Sequence, residues 1–314
     1  MMKIVVLDGF ASNPGDLSWQ DFAELGDLTV YDRTPPEKLQ ERIADAEIIL
    51  LNKTLFPASA FDAAKKLRLI SVLATGYNVI DIEAARAHGV RVCNAGSYST
   101  NAVTQMTFAL LLEATQQVAL HNAAVHAGQW EKSADFCFWN VPLAELAGKT
   151  MGLIGYGSIA KSVANVARAF GMRVIYTART PRADAEYVSL ETLLEQSDIV
   201  SLHCPQTVEN LRMINAQTLS QMKDGAILIN TARGGLVDEQ ALAEALETGK
   251  LAYYCADVVS KEPIAADNPL LHAKNCFLTP HIAWAPKETR ERLHAINLEN
   301  IRAFLNGAPQ NVIV

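Results

Sequence analysis

Three segments of this 314-residue chain each set a reactive side chain just beyond an apolar, strand-like run. They are Asn230-Thr-Ala-Arg233-Gly-Gly-Leu-Val-Asp-Glu, Ala256-Asp257-Val-Val-Ser-Lys-Glu262-Pro263 and Leu278-Thr-Pro-His281-Ile-Ala-Trp284. An arginine, a glutamate and a histidine brought together suit the reduction of a carbonyl beside a carboxylate. Arg233 can clamp the carboxylate and polarise the adjacent ketone. His281 can protonate the oxygen as hydride arrives, since imidazole serves as acid or base at working pH. Glu262 can orient the ring and stabilise its protonated form. Taken singly, these residues also fit a salt bridge, a Glu-Pro loop and a Pro-His turn. Their placement on three successive strand ends favours chemistry, because ligands of parallel α/β sheets bind beyond the carboxyl ends of the strands.

A hydride needs a carrier, and the segment Gly152-Leu-Ile-Gly155-Tyr-Gly157-Ser-Ile-Ala160 supplies a place for one. An apolar strand runs into a glycine turn and then into a helical pattern over 158–170, the context in which Gly-x-Gly signals a dinucleotide site. The glycines let backbone approach a pyrophosphate, and the helix start offers unpaired N–H groups and partial positive charge. Ala160 stands at the third glycine position, where only close helix–strand packing is required. About twenty residues on, an acid is expected to bind the adenine ribose. Tyr176-Thr177-Ala-Arg179-Thr-Pro-Arg182 has none, and Asp184 lies past the proline. Arg179 stands there instead, and a guanidinium can hold a 2′-phosphate that a carboxylate would repel. The expectation is NAD(P), with NADP(H) tolerated or preferred; the alternative is an Arg179 that stacks on adenine or stays solvated.

Two α/β domains must position these groups. Residues 1–99 alternate five short β-rich runs with helical stretches, which predicts a parallel sheet. From 150 a second βαβ series begins, with six strands, at 151–154, 173–176, 199–202, 226–230, 252–256 and 276–278. That number makes a complete dinucleotide-binding sheet. Between the two series, 101–128 reads as one long helix, apolar nearly all round in 102–112 and therefore buried. It exceeds what one domain could cover and so predicts a homodimer. An irregular segment, 128–148, follows it. A last helix, 287–305, is expected to dock back on the first domain. The expected division is 1–99 with 286–314 as a flavodoxin-like substrate domain, and 100–285 as the NAD(P)-binding Rossmann domain, with a cleft between them.

Composition narrows the class. Half the residues are hydrophobic, 19% are charged and the net charge is −7, which argues against nucleic acid or an anionic membrane as partner. No apolar run approaches a membrane span, and Met1-Met-Lys-Ile-Val-Val-Leu-Asp is too short and too soon acidic for a signal peptide. Five scattered cysteines without Cys-x-x-Cys predict reduced thiols in a cytoplasmic protein. No histidine pairs with a Cys or another His at metal-ligand spacing.

Over essentially its full length the chain resembles the D-isomer-specific 2-hydroxyacid dehydrogenases. The resemblance rests on the glycine loop, on the long motif Met222-Lys-Asp-Gly-Ala-Ile-Leu-Ile-Asn-Thr-Ala-Arg-Gly-Gly-Leu-Val-Asp-Glu239, and on the Asp-Val-x-x-x-Glu-Pro and Pro-His-Ile-Ala-Trp-Ala segments. Within the family, Ala74-Thr-Gly-Tyr-Asn, Asp135-Phe-Cys-Phe-Trp139 and His-Ile-Ala-Trp-Ala look most like bacterial glycerate dehydrogenases, also called hydroxypyruvate reductases. The resemblance implies that Arg233, Glu262 and His281 are catalytic, and that the amides of Thr75 and Gly76 hold the substrate carboxylate together with Arg233 and His281. Lys53 either contacts substrate or is a solvated lysine. The resemblance also implies that Asp257 faces the nicotinamide amide, Thr231 and Ala232 line the ribose, Cys204 and Pro205 flank the adenine, and Thr104 touches the cofactor. Gly155, Tyr156, Gly157, Ser158, Ile159, Thr177, Arg179, Arg233, His281 and Ala283 complete the expected cofactor set. Trp139 serves an interface or pocket, or simply packs in the core. The implied reaction is reversible hydride transfer between NAD(P)H and a small 2-oxo acid, most simply hydroxypyruvate or glyoxylate. Another 2-oxo acid, phosphite, or a silent dinucleotide sensor are the alternatives; an intact Arg233–Glu262–His281 set speaks against the sensor.

Overall fold

A computed structural model describes residues 1–182 and 185–314, so Asp184 lies outside the described residues. The chain forms two compact units, Met1–Ser99 with Trp284–Val314, and Thr100–Ala283.

The first unit is built on five strands, β1 (Lys3–Val6), β2 (Asp27–Val30), β3 (Ile48–Leu51), β4 (Leu69–Val72) and β5 (Arg91–Cys93). All pair in parallel in the order β2-β1-β3-β4-β5. β3 and β4 are buried at every position, as expected of central parallel strands covered on both faces. One face packs Val5, Ile49, Phe61 and Ile70 under short helices. The other packs Ile4, Ile48 and Leu69 against Leu293, Leu298 and Ile301 of the helix Lys287–Leu305. Beyond it the chain returns to β5, bridging Cys93 to Val312 in antiparallel sense.

The second unit continues with β6 (Thr150–Ile154), β7 (Arg173–Thr177), β8 (Glu186–Tyr187), β9 (Ile199–Leu202), β10 (Ala226–Asn230), β11 (Leu251–Ala256) and β12 (Cys276–Leu278). Their parallel order is β12-β11-β10-β9-β6-β7-β8. The sheet thus has seven strands rather than the expected six. β8 is a two-residue, exposed edge strand, too short to leave an alternating pattern. The order reverses at β6, which pairs with β7 on one side and β9 on the other. That reversal opens a crevice for ligands at the strands' carboxyl ends. The helix Ser158–Ala169 buries Ala160, Val163, Ala164 and Ala167, the i, i+3, i+4, i+7 stripe of a helix lying on a sheet.

The long helix expected over 101–128 is two. Thr100–Gln116 and Val118–His126 meet at Gln117, whose backbone is left-handed (φ 48°). The break is held from outside the helix. Ala144 donates its N–H to the Thr115 carbonyl (3.1 Å), and the Gln116 side chain donates to the Ala144 carbonyl (2.8 Å). The first helix buries nine residues, but the second buries none. No helix among the described residues is long and apolar enough to cross a membrane.

Candidate functional site

In the second unit, each strand from β12 to β7 delivers a residue of interest at its carboxyl end. Across the sheet these are His281, Asp257, Arg233, Cys204, Gly155 and Arg179. The reactive groups therefore gather at one end of the row and the glycine loop and Arg179 at the other.

At the reversal point, Gly155 has φ +94°, and a Cβ there would come within 2.7 Å of the His203 and Cys204 backbone. Only glycine allows β6 to turn over β9 so closely. Gly157 differs: a Cβ on it would meet nothing within 4 Å, so its bare backbone borders open space at the start of the helix Ser158–Ala169. No side chain caps that helix end, and its first N–H groups are open to an anion. Tyr156 stacks on the fully buried Tyr176 (centroids 4.0 Å apart), fixing the floor of the turn. A cavity of about 610 Å³ adjoins the loop and brings Gly155, Tyr156, Gly157, Thr177, Arg179, Cys204 and Pro205 together. His203, Thr207, Glu209 and Asn210 line it as well, and these the sequence reading missed. A bare-backbone cradle, an uncapped helix end and a cavity beside them fit the diphosphate and adenosine of a nicotinamide dinucleotide. Ser158 and Ile159 lie beside the cavity in sequence but do not line it.

The reactive end is tightly organised. His281 Nδ1 and Glu262 Oε2 are 2.6 Å apart, which leaves Nε2 as the ring nitrogen free of that carboxylate. Glu262 Oε1 accepts the Val259 N–H (3.3 Å). Asn230, fully buried, shapes the Arg233 turn by donating to the Arg233 carbonyl (2.9 Å) and accepting from Ala232 N–H (3.0 Å). The half-buried Arg233 donates to the Ala232 carbonyl (2.7 Å) and, among the described residues, is in no ion pair. A Cβ on Gly234 would lie 1.9 Å from the Val259 carbonyl carbon. The Arg233 turn therefore packs directly on the loop that carries Glu262. Glu239 anchors that loop by accepting from Ser260 N–H (2.7 Å), Ser260 Oγ (2.6 Å) and Asn268 Nδ2 (2.9 Å).

Asp257 is 1% exposed, and its carboxylate is engaged. Oδ1 accepts from Thr279 Oγ1 (2.6 Å) and Ile282 N–H (2.8 Å), and Oδ2 from Ala283 N–H (2.7 Å). Burial pushes its pKa up, while these three donors pull it down. His281, inside the held segment, has φ +54°, an uncommon conformation for a residue with a side chain. Thr231 meets Thr107 of the long helix (Oγ1–Oγ1 3.2 Å). Thr104, one turn earlier, is buried and donates back to the Thr100 carbonyl (2.9 Å).

In the first unit, Thr75 and Gly76 follow β4, and their amide groups donate to nothing among the described residues. The Thr75 hydroxyl donates to the Gly96 carbonyl, and Asn94 donates to the Thr75 carbonyl (2.8 Å). Lys53 lies on a loop gripped by Asp8, whose carboxylate accepts from Asn52 (2.7 Å), Lys53 (2.6 Å) and Thr54 (2.8 Å) N–H groups. Trp139 is 66% exposed, which rules out core packing. No cluster of metal-ligating side chains occurs among the described residues.

Comparison with known proteins agrees with this geometry. Residues 108–283, more than half the chain, match the family model "D-isomer specific 2-hydroxyacid dehydrogenase, NAD binding domain". A hydroxypyruvate reductase of Blautia hydrogenotrophica is 49% identical, with 99% of each chain covered. A glycerate dehydrogenase of Methylorubrum extorquens is 40% identical, over 99% of this chain and 98% of that one. Among solved structures, an acyclic imino acid reductase in complex with NADPH and D-Arg superposes with a TM-score of 0.89 at 31% identity, covering both chains fully. The expected fold class and family resemblance are both borne out: the chain belongs to the D-isomer-specific 2-hydroxyacid dehydrogenases.

Proposed function

We propose that this dehydrogenase reduces hydroxypyruvate or glyoxylate to the corresponding 2-hydroxy acid, reversibly, with NADPH or NADH. The observation that carries the reading is the 2.6 Å contact between His281 Nδ1 and Glu262 Oε2, in a chain 49% identical throughout to a hydroxypyruvate reductase. The nicotinamide dinucleotide, when bound, supplies or accepts the hydride. With Nδ1 tied to Glu262, His281 Nε2 gives its proton to the substrate oxygen in reduction and takes it back in oxidation. Glu262 holds the ring and balances the charge it carries when protonated. Arg233, in no ion pair among the described residues, offers its guanidinium to the substrate carboxylate. The amides of Thr75 and Gly76 are two further donors for that carboxylate, and Lys53 is a candidate substrate contact. Asp257 holds the His281 loop, and Thr104, Thr231, Ala232 and Ala283 are the proposed cofactor neighbours at this end.

At the other end Arg179 supports acceptance of a 2′-phosphate, so NADP(H) is proposed as an accepted cofactor, with NAD(H) also used. The helix Val118–His126, with no buried residue, and the exposed Trp130, Phe136 and Trp139 beside it support a homodimer. Five thiols, none in a disulfide, suit the reducing cytoplasm.

The test is consumption of NADPH or NADH with hydroxypyruvate, glyoxylate and a bulkier 2-oxo acid. His281→Ala is expected to lower kcat by about 10²–10⁴-fold, the usual weight of a general acid, with dinucleotide affinity retained. A His281→Ala enzyme that keeps its kcat, or one that prefers the bulkier acid, overturns the reading.

A further inference from the structure

We propose that Glu209 opposes Arg179 in setting which dinucleotide this enzyme prefers, and so keeps the pocket open to the unphosphorylated form. The inference rests on reading the 610 Å³ cavity as the site of the adenosine half of the cofactor. Among the described residues, two ionised side chains line that cavity, Arg179 beyond β7 and Glu209 on the loop beyond β9. The His203 imidazole, which also lines it, is pulled down to about 4 by burial and is neutral at working pH. The charges of Arg179 and Glu209 therefore cancel, and the cavity is not a bare cationic socket.

The loop that carries Glu209 is braced. Asn210 Oδ1 accepts the Thr207 N–H (2.7 Å) and Asn210 Nδ2 donates to the Pro205 carbonyl (2.8 Å), closing the loop around it. A hydrogen bond from Thr207 keeps the Glu209 carboxyl below the ordinary carboxylate range, and the nearby Arg179 charge lowers it further. A negative carboxylate is thus available in the cavity that Arg179 also lines. A 2′-phosphate carries nearly two negative charges at neutral pH. Arg179 attracts it and Glu209 repels it, whereas an unphosphorylated ribose feels neither strongly. A hydroxyl pair can also donate to Glu209, an acceptor of the kind missing at the end of β7.

The test compares adenosine 2′,5′-bisphosphate with adenosine 5′-monophosphate, which differ only by the 2′-phosphate. Binding of each is measured by titration calorimetry on the intact protein, its Glu209→Gln form and its Arg179→Ala form. Both substitutions are at exposed positions, and Gln retains the acceptor for Thr207. Glu209→Gln is expected to raise the bisphosphate-to-monophosphate affinity ratio by about two- to fivefold at low salt, the scale of exposed charge pairs, and less at high salt. Arg179→Ala is expected to lower the ratio by tenfold or more. An unchanged ratio in Glu209→Gln with a lowered one in Arg179→Ala overturns the role of Glu209 and leaves the reading of Arg179 standing. A ratio insensitive to Arg179→Ala, or failure of both nucleotides to bind, overturns both.

Discussion

Asp257→Asn tests most directly how the fold aims its acid/base group. The substitution keeps the shape of a side chain that is 1% exposed but removes one of two acceptors. The Asn carbonyl can stay where Oδ1 receives Thr279 Oγ1 and Ile282 N–H. Its NH₂ then faces the Ala283 N–H that Oδ2 accepted at 2.7 Å, donor against donor; the flipped amide keeps Ala283 and can donate to the Thr279 hydroxyl but sets its NH₂ against the Ile282 N–H, so one bond is lost either way. Loss of one buried hydrogen bond to a charged group costs about 1.5–3 kcal/mol. Part is offset, because burial already disfavours the ionised Asp257 and a neutral amide escapes that penalty. A net loss of about 1–2 kcal/mol corresponds to a Tm fall of a few degrees in a unit this size. The larger effect is on function. Thr279 and Ile282 bracket His281, whose φ of +54° costs a non-glycine residue about 1–3 kcal/mol. With the Ala283 end of the clamp released, the segment that follows His281 loosens and the ring moves off Glu262 Oε2. Misplacement of a catalytic group by about 1 Å costs up to 10²-fold. We expect kcat with hydroxypyruvate to fall about 10- to 100-fold, with dinucleotide Kd changed less than threefold. An unchanged kcat accompanied by a weakened Kd would refute the argument, and would place Asp257 against the nicotinamide amide, as the family resemblance implies.

Three further outcomes are expected. His294, buried with its ring tilted against Trp19 (centroids 4.5 Å apart), titrates at about 4 because burial and Arg290 oppose its charge; the unfolded chain takes the proton first, near pH 6.5, so the penalty is absent above that pH, grows as pH falls through it, and is complete near pH 4. Urea unfolding should show a loss of about 2 kcal/mol between pH 7 and 5 that His294→Phe removes, and an identical pH slope in the variant refutes it. Gly234→Ala should push back the Glu262 loop, since its Cβ would lie 1.9 Å from the Val259 carbonyl carbon; kcat should fall at least tenfold with about 1–3 kcal/mol of stability, and wild-type kinetics would count against the packing argument. Phe136→Ser with Trp139→Ser, at positions 89% and 66% exposed, should convert a dimer to monomer in sedimentation, and an already monomeric parent removes that reading.

What was legible in the sequence follows from what is local. Arg233, Glu262 and His281 stand a few residues beyond apolar strands, and Gly155 and Gly157 stand in an unbroken strand–turn–helix pattern, so type and spacing locate them. Gln117 carries no Gly or Pro signal; its helix breaks because residues near Ala144 return to it, a contact invisible along the chain. Glu209 escaped notice for the same reason, as its pocket partner Arg179 comes from a different strand.

The carboxylate clamps show a more general limit and a way past it. Asp8 lies just beyond β1 and grips amides beyond β3, its neighbour in the sheet. Asp257 lies just beyond β11 and grips amides beyond β12, again its neighbour. Parallel strands end side by side, about 4.8 Å apart, so an acid one or two residues past one strand is level with the loop leaving the next. Loop amides there have no ladder partner and must find an acceptor, and a buried carboxylate offers several lone pairs at once. An Asp directly after an apolar strand, as in Val5-Val-Leu-Asp8 and Tyr254-Cys-Ala-Asp257, therefore reads first as an organiser of the adjacent loop. In one unit that loop carries Lys53 and in the other His281. At Asp257 the organising bonds bring two donors to Oδ1 and one to Oδ2, so the clamp leaves a lone pair on Oδ2 for the nicotinamide amide that the family resemblance implies.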